Sequence, residues 1–325
     1  ELIHSGEVDV YELMNDLIGK MFSTTFGKVN HHDGALLEIP SDKLAMTTDS
    51  FVVNPLFFPG GNIGKLAVYG TVNDLAMCGA QPKSLSLSFI LEEGLPMDTL
   101  WRICQDIKLA ADECQVNIVT GDTKVVERGK GDGIYINTTG IGPLISKFTG
   151  PETITEGDAI ILSGDLGRHG MAIMAQREGL AFEPQIESDC TNLWAEVKKL
   201  TQAGVNIHCM RDLTRGGLAG CLNELSAQAS HKIHLKSDAI TISEPVSSAC
   251  ELLGLDPYTL ACEGRFVLFV SNEYKDPVLQ ALAPTATCIG NVGKTCKQAT
   301  VIITNELGVE RFMEQPLGEL LPRIC

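Results

Sequence analysis

Ser84-Leu85-Ser86-Leu87-Ser88-Phe89 alternates polar and apolar residues, the period of a half-buried strand, and Met97 to Cys114 then sets Leu100, Ile103, Cys104, Ile107 and Ala111 at helical spacing. A strand followed closely by a long amphipathic helix is the repeating unit of an α/β fold. The unit recurs on either side. Leu44 to Thr48 predicts a strand, Asn62 to Cys78 a helix of small residues closed by Gly79, and Val116 to Val119 and Gly133 to Ile141 two further strands. A charged, glycine-rich loop from Glu127 to Asp132 joins the last two, and its tip is expected to be mobile. The apolar face of Leu85, Leu87 and Phe89 exceeds what one small sheet covers alone, which predicts a homodimer through this half.

Ser146 to Gly157, with Thr149-Gly150-Pro151 and several acidic residues, is the expected domain boundary. Beyond it the alternation resumes, with strands at Ala159 to Leu162, Phe266 to Val270 and Val301 to Thr304 and helices at Gly167 to Glu178, Asn192 to Ala203 and Gly216 to Ala229. From Glu310 to Cys325 the chain carries Pro316, Gly318 and Pro322 with little periodicity, so an extended tail ending on a thiol is expected. The organisation predicted is therefore residues 1–146, residues 157–309 and a mobile tail over residues 310–325.

The 325 residues suffice for about two domains. A hydrophobic share of 44% against 20% charged residues excludes a disordered chain. The net charge of −16 disfavours phosphate backbones and anionic membranes, so neither nucleic acid nor membrane is an expected partner. The 11 cysteines are odd in number and contain no Cys-x-x-Cys pair, the pattern of buried, reduced thiols in the cytoplasm. No apolar run approaches the roughly 18 residues of a membrane span, and the acidic start at Glu1 does not resemble a signal peptide.

Gly60-Gly61-Asn62-Ile63-Gly64-Lys65 is one residue too short between its glycines for a P-loop, and Leu66 stands where a magnesium-binding hydroxyl belongs. No Gly-x-Ser-x-Gly or His-Glu-x-x-His motif occurs. What recurs is an aspartate beside small or hydroxyl residues at expected strand or loop ends: Thr48-Asp49-Ser50, Asn73-Asp74, Thr120-Gly121-Asp122-Thr123-Lys124 and Arg211-Asp212-Leu213-Thr214-Arg215. Carboxylates converging on one site suit Mg²⁺ and nucleotide phosphates, and Gly60-Gly61-Asn62 opening a helix suits phosphate as well. Turn and capping roles explain each residue equally well taken singly.

Thr47-Thr48-Asp49-Ser50, Asn54 to Leu66, Thr120 to Val125, Arg211 to Gly217 and the terminal Pro322-Arg323-Ile324-Cys325 together closely resemble the HypE family of carbamoyl dehydratases, which mature NiFe hydrogenases. The resemblance runs from about Leu13 to Cys325, and its ending is its most specific part. It departs at His4-Ser5-Gly6-Glu7-Val8-Asp9, where such chains carry a glycine-rich segment. The resemblance implies an α/β fold of two domains, like aminoimidazole ribonucleotide synthetase, with N-terminal sheets joined into a barrel across a homodimer and ATP with Mg²⁺ bound near that interface. It further implies that Cys325 receives a carbamoyl group from the carbamoyltransferase HypF, that ATP drives dehydration to a thiocyanate, and that the cyanide passes to iron on a HypC–HypD scaffold.

By the same resemblance Asp49, Asp74, Asp122 and Asp212 are candidate metal ligands, and Asp49, Gly60, Gly61, Asn62, Lys65, Asp74, Asp122 and Arg211 candidate nucleotide contacts. Cys325, Lys124 and Glu263 form the candidate catalytic set. Plainer roles fit the same side chains. Lys124 could simply pair with a carboxylate, and Glu263 could be a turn residue before a strand. A sister synthetase or kinase of the selenophosphate synthetase type would not need Cys325, and a scaffold without catalysis would not hydrolyse ATP.

Overall fold

A computed structural model describes residues 43–145 and 150–316, together with Met21, Thr24, Thr25, Leu37 and Ile324. In the first half, β1 (Leu44–Phe51) leads through the short hairpin β2 (Phe57–Phe58) and β3 (Gly61–Asn62) into α1 (Ile63–Met77). There follow β4 (Ser84–Glu92), α2 (Met97–Cys114), β5 (Asn117–Val126) and β6 (Ile134–Pro143). The sheet order is β1-β6-β4-β5, with β4 and β5 parallel and the other pairs antiparallel.

β4 alternates as its sequence predicts, but its apolar face is covered within the chain. Leu85, Leu87, Phe89 and Leu91 are buried in one core with Leu66 and Val72 of α1 and Ile103 and Ile107 of α2. The parallel β4–α2–β5 crossover lays a helix over one face of the sheet, so this face does not call for a second copy. Burying each large side chain there contributes roughly 2 kcal/mol. The opposite face carries Ser84, Ser86, Ser88, Asn137 and Thr139, with Met46 and Ile90 exposed among them.

β5 also runs further than expected. Thr120 to Lys124 lies within the strand and stays in register with β4 up to Val126 opposite Glu92. Polar residues there suit an edge strand, one side of which faces water. The following glycine-rich loop is tied down by Glu92, whose carboxylate accepts the N–H groups of Gly129 at 2.6 Å and Gly133 at 2.9 Å.

The second half contains β7 (Ala159–Leu162), α3 (Arg168–Glu178), α4 (Trp194–Gln202), β8 (Ile207–Asp212), α5 (Gly217–Ala229), β9 (His231–Lys236) and α6 (Glu244–Leu253). It continues with β10 (Phe266–Val270), α7 (Lys275–Ala281), β11 (Thr287–Thr295), β12 (Val301–Thr304) and β13 (Glu310–Phe312). Its sheet has the order β13-β12-β9-β11-β7-β10-β8. The tail was expected to begin at Glu310, yet Glu310–Phe312 pairs antiparallel with β12, and the Met313 carbonyl accepts the Asn223 amide at 2.9 Å. An unpaired strand edge offers hydrogen bonds that an extended segment readily takes.

α1 is buried nearly all round, which explains its small residues and its lack of an amphipathic stripe. It packs on β1 and β6 of its own half and on α4 and β8 of the other, and one apolar core accordingly spans both halves.

Candidate active site

Strand alternation puts Thr47 and Asp49 on the face of β1 that carries buried Ala45 and Phe51, toward α1. Asp74 stands in the last turn of α1, where the negative end of the helix dipole gives a carboxylate no help. Thr47 Oγ1 donates to Asp74 Oδ2 at 2.8 Å. Asp212 closes β8, buried, and Arg211 precedes it. Burial, more than any other influence, raises the pKa of all three carboxyls. The charge of Asp49 raises that of Asp74 further, while Thr47 and Arg211 oppose the rise. For Asp212, burial and then the charge of Asp74 push the carboxyl up to about 7. Arg215 lies near enough to lower Asp49 somewhat.

Asp49, Asp74, Asp212 and Arg211 thus form one charged neighbourhood at the junction of the two halves. Among the described residues, no group of three or more His, Cys, Asp or Glu side chains is close enough to hold a metal ion by itself. The three repelling carboxyls do fit a Mg²⁺ that arrives on nucleotide phosphates, since such an ion takes only one or two protein carboxylates.

Asp122 does not join them. It lies on β5, at the opposite edge of the sheet from β1, and three strand spacings amount to about 14 Å. It aligns with Ser88, on the sheet face turned away from α1, and Lys124 aligns with Ile90 on the same face. The two pair with each other at 3.0 Å and are largely exposed. The Lys124 hydrogen bond, before any other cause, holds the Asp122 carboxyl below its usual range.

Gly60, Gly61, Asn62 and Lys65 sit at the start of α1, and the 12 residues from Asn62 to Asp74 put about 18 Å of helix between them and the carboxyls. Gly60 has φ +86°, and a Cβ there would fall 2.6 Å from the Ser188 carbonyl oxygen. Asn62 caps α1 by accepting the Lys65 N–H at 3.1 Å, and its amide donates to Asp106 at 3.1 Å. These residues therefore form a tight turn and a helix cap, remote from the carboxyl cluster.

Glu263 is buried just ahead of β10. Its N–H donates to Asp189 Oδ1 at 3.4 Å, and its carbonyl accepts from Asn73 at 3.3 Å. Asn73 is the chain neighbour of Asp74 and also binds Thr191 O at 3.1 Å and the Leu193 N–H at 2.8 Å. Glu263 is thereby held against the flank of the helix that carries Asp74.

Sequence reasoning missed the strap from Ser188 to Leu193 and the histidine it holds. Asp189, buried, accepts the backbone N–H groups of His169 at 3.1 Å and Gly264 at 3.2 Å as well as that of Glu263. The His169 ring is wholly buried, with Nδ1 2.8 Å from Ser188 Oγ and Nε2 2.7 Å from the carbonyl oxygen of Ile324. A usable signal was present: the run between α3 and α4 is long and aperiodic for an α/β unit, and such loops tend to be functional. Cys325 and Gly6-Glu7-Val8-Asp9 lie outside the described residues.

Family models for the N-terminal and C-terminal domains of AIR synthase related proteins match residues 31–144 and 155–303, so the fold is that of this class. A carbamoyl dehydratase HypE of Bradyrhizobium diazoefficiens is 44% identical over 321 residues, covering 96% of this chain and 93% of its own. A crystal structure of the hydrogenase maturation protein HypE in complex with ATP superposes with TM-score 0.90 at 42% identity, covering 99% of this chain and 98% of that one. A structure of a HypE–HypF complex superposes with TM-score 0.81 at 39% identity over 92% of this chain and 99% of that one. The chain belongs to the HypE family, as its motifs suggested. Among the described residues no helix is long and apolar enough to cross a membrane.

Proposed function

We propose that this protein is an ATP-dependent carbamoyl dehydratase that converts an S-carbamoyl group on Cys325 to a thiocyanate, supplying cyanide for the iron of a NiFe hydrogenase. It would work in the cytoplasm, with a HypF-type carbamoyltransferase as donor and a HypC–HypD-type scaffold as acceptor. Family relatives carry this activity in their names, and solved relatives carry ATP and HypF in theirs. The observation that carries the proposal is Ile324, the residue before Cys325, buried against His169 in the same wall that holds Glu263.

The chemistry divides into two parts. The thiocarbamate oxygen attacks the γ-phosphorus of ATP and ADP leaves, which turns a poor leaving group into a phosphate ester. The nitrogen then gives up its protons, the carbon–oxygen bond breaks, phosphate departs and the carbon–nitrogen triple bond forms. One or two of Asp49, Asp74 and Asp212 would hold Mg²⁺ on the phosphates, where the ion neutralises charge, and Arg211 would add a positive charge beside them. Glu263, buried and close to Asn73, would accept protons from the nitrogen. Asp122 and Lys124 would reach this site only if a second copy supplied them, so the active form would be a homodimer.

Mass spectrometry of the C-terminal peptide, after incubation with the carbamoyltransferase, carbamoyl phosphate and ATP, tests the proposal. The carbamoyl group should appear on Cys325 and then lose one water. Glu263→Gln should accept the group and keep ATP binding but dehydrate at least about a hundredfold more slowly. A group found on another cysteine, or no loss of water, would favour a sister synthetase instead.

A further inference from the structure

We propose that His169 is a positioning residue that latches the tail, fixing the Ile324 carbonyl so that the next residue, Cys325, is presented to the active site. The inference rests on Cys325 being the carrier. The hydrogen bonds around the ring assign its tautomer. A carbonyl oxygen only accepts, so Nε2 must carry a proton to bind Ile324 O at 2.7 Å. Ser188 Oγ already accepts the Cys190 N–H at 3.0 Å, leaving its own hydroxyl proton for Nδ1 at 2.8 Å. Cys190 N–H, Ser188, His169 and the Ile324 carbonyl then form one chain of donors and acceptors, each satisfied.

The ring is held on every side. Its own backbone N–H is bound by Asp189, and Phe58 packs against it edge-on, with centroids 5.4 Å apart. Burial keeps the imidazole neutral by lowering its pKa, which suits a ring that must accept at Nδ1 and donate at Nε2. The latch is also wired to the rest of the site. The strap that carries Ser188 and Asp189 continues to Thr191 and Leu193, which Asn73 holds beside Asp74. The Ile324 carbonyl is thus held by a side chain 155 positions away along the chain.

The test is the rate at which iodoacetamide alkylates Cys325 in the full-length protein, read on the C-terminal peptide, with buried Cys104 and Cys262 as internal controls. His169→Phe keeps a ring but loses the donor, and Cys325 should react about fivefold faster, the factor one hydrogen bond contributes to such an equilibrium. His169→Gln restores an amide donor and should return the rate to within about twofold of wild type. Ser188→Ala removes the group that selects the tautomer and should fall between. Single-turnover dehydration should slow in His169→Phe while carbamoyl transfer to Cys325 does not, whereas a general lesion would slow both. Equal alkylation of wild type and His169→Phe overturns the latch, as does a Gln variant that behaves like Phe. If the Phe variant does not fold, an unchanged rate in Ser188→Ala overturns it. Should wild type never take the carbamoyl group on Cys325, the functional proposal fails while the alkylation contrast still decides the latch.

Discussion

Thr47 and Asp74 meet at 2.8 Å, clamping the edge strand of the first sheet to the last turn of the central helix. The hydroxyl gives Asp74 one good donor in a setting where burial and Asp49 both disfavour its charge. That arrangement stores unfavourable electrostatics until positive charge arrives. Asp74→Asn should therefore weaken Mg·ATP binding by at least about tenfold, the loss expected when a charged contact is removed. Thr47→Val should weaken it less. Isothermal calorimetry checks both, and unchanged affinity in Asp74→Asn would remove the cluster from the nucleotide site.

The pH dependence of stability follows from Asp212. Its pKa in the folded protein, about 7, lies above the ordinary value of 3.8, so folding favours the protonated carboxyl. The stability it contributes is full below about pH 4 and is lost as pH rises through about 7. Asp212→Asn should accordingly make the nucleotide-free protein more stable by about 1–3 kcal/mol at pH 8 and leave it nearly unchanged at about pH 4. Urea denaturation at the two pH values measures this. A constant difference would show that the carboxyl is already ionised without cost.

Asp189 is the anchor of the strap. Removing its carboxylate in Asp189→Ala leaves the N–H groups of His169, Glu263 and Gly264 without their acceptor in a buried place. The expected loss is about 3 kcal/mol or more in chemical denaturation. Gly264→Ala should be comparably harmful, because its Cβ would lie 1.9 Å from the Asp189 carbonyl oxygen. A loss below about 1 kcal/mol in both would mean that the strap is not held from this point.

Asp122 and Lys124 lie at the far edge of the sheet from Asp49, which makes a complementation experiment informative. If a second copy completes each site, Asp74→Asn and Lys124→Ala should each be nearly inactive alone. Mixed and allowed to exchange subunits, they should regain activity, since a hybrid dimer then carries one site with both residues intact. Light scattering should show twice the mass of the chain, and Met46→Asp with Ile90→Asp on the open sheet face should reduce it to one. No recovery on mixing would mean that the pair acts within its own subunit or not at all.

Much of this fold is legible along the chain. The alternation Leu85, Leu87, Phe89 and the helical spacing from Met97 to Cys114 reappear as β4 and α2, because burial on one face imposes a period of two on strands and of 3.6 on helices. β8, β9, β11 and β13 were less visible: β9 carries only Ile233 and Leu235 as buried residues, and β11 is interrupted by a bulge near Cys288. Short strands in a large sheet draw their stability from neighbours that local sequence does not contain.

The α/β class, the aspartate-bearing segments and the family resemblance are all readable along the chain, since each rests on residue type and spacing over short distances. Which of those residues stand together depends on how the whole chain packs. Sheet order separates Asp122 from Asp49 although both sit in similar Thr/Asp/Ser surroundings, and the length of α1 separates Asn62 from Asp74 although one helix carries both. The reverse holds for His169 and Ile324, distant in the chain and joined at 2.7 Å. Periodicity reports which face of an element is buried; strand order, register and helix length decide what that face meets, and these emerge only when the whole core packs.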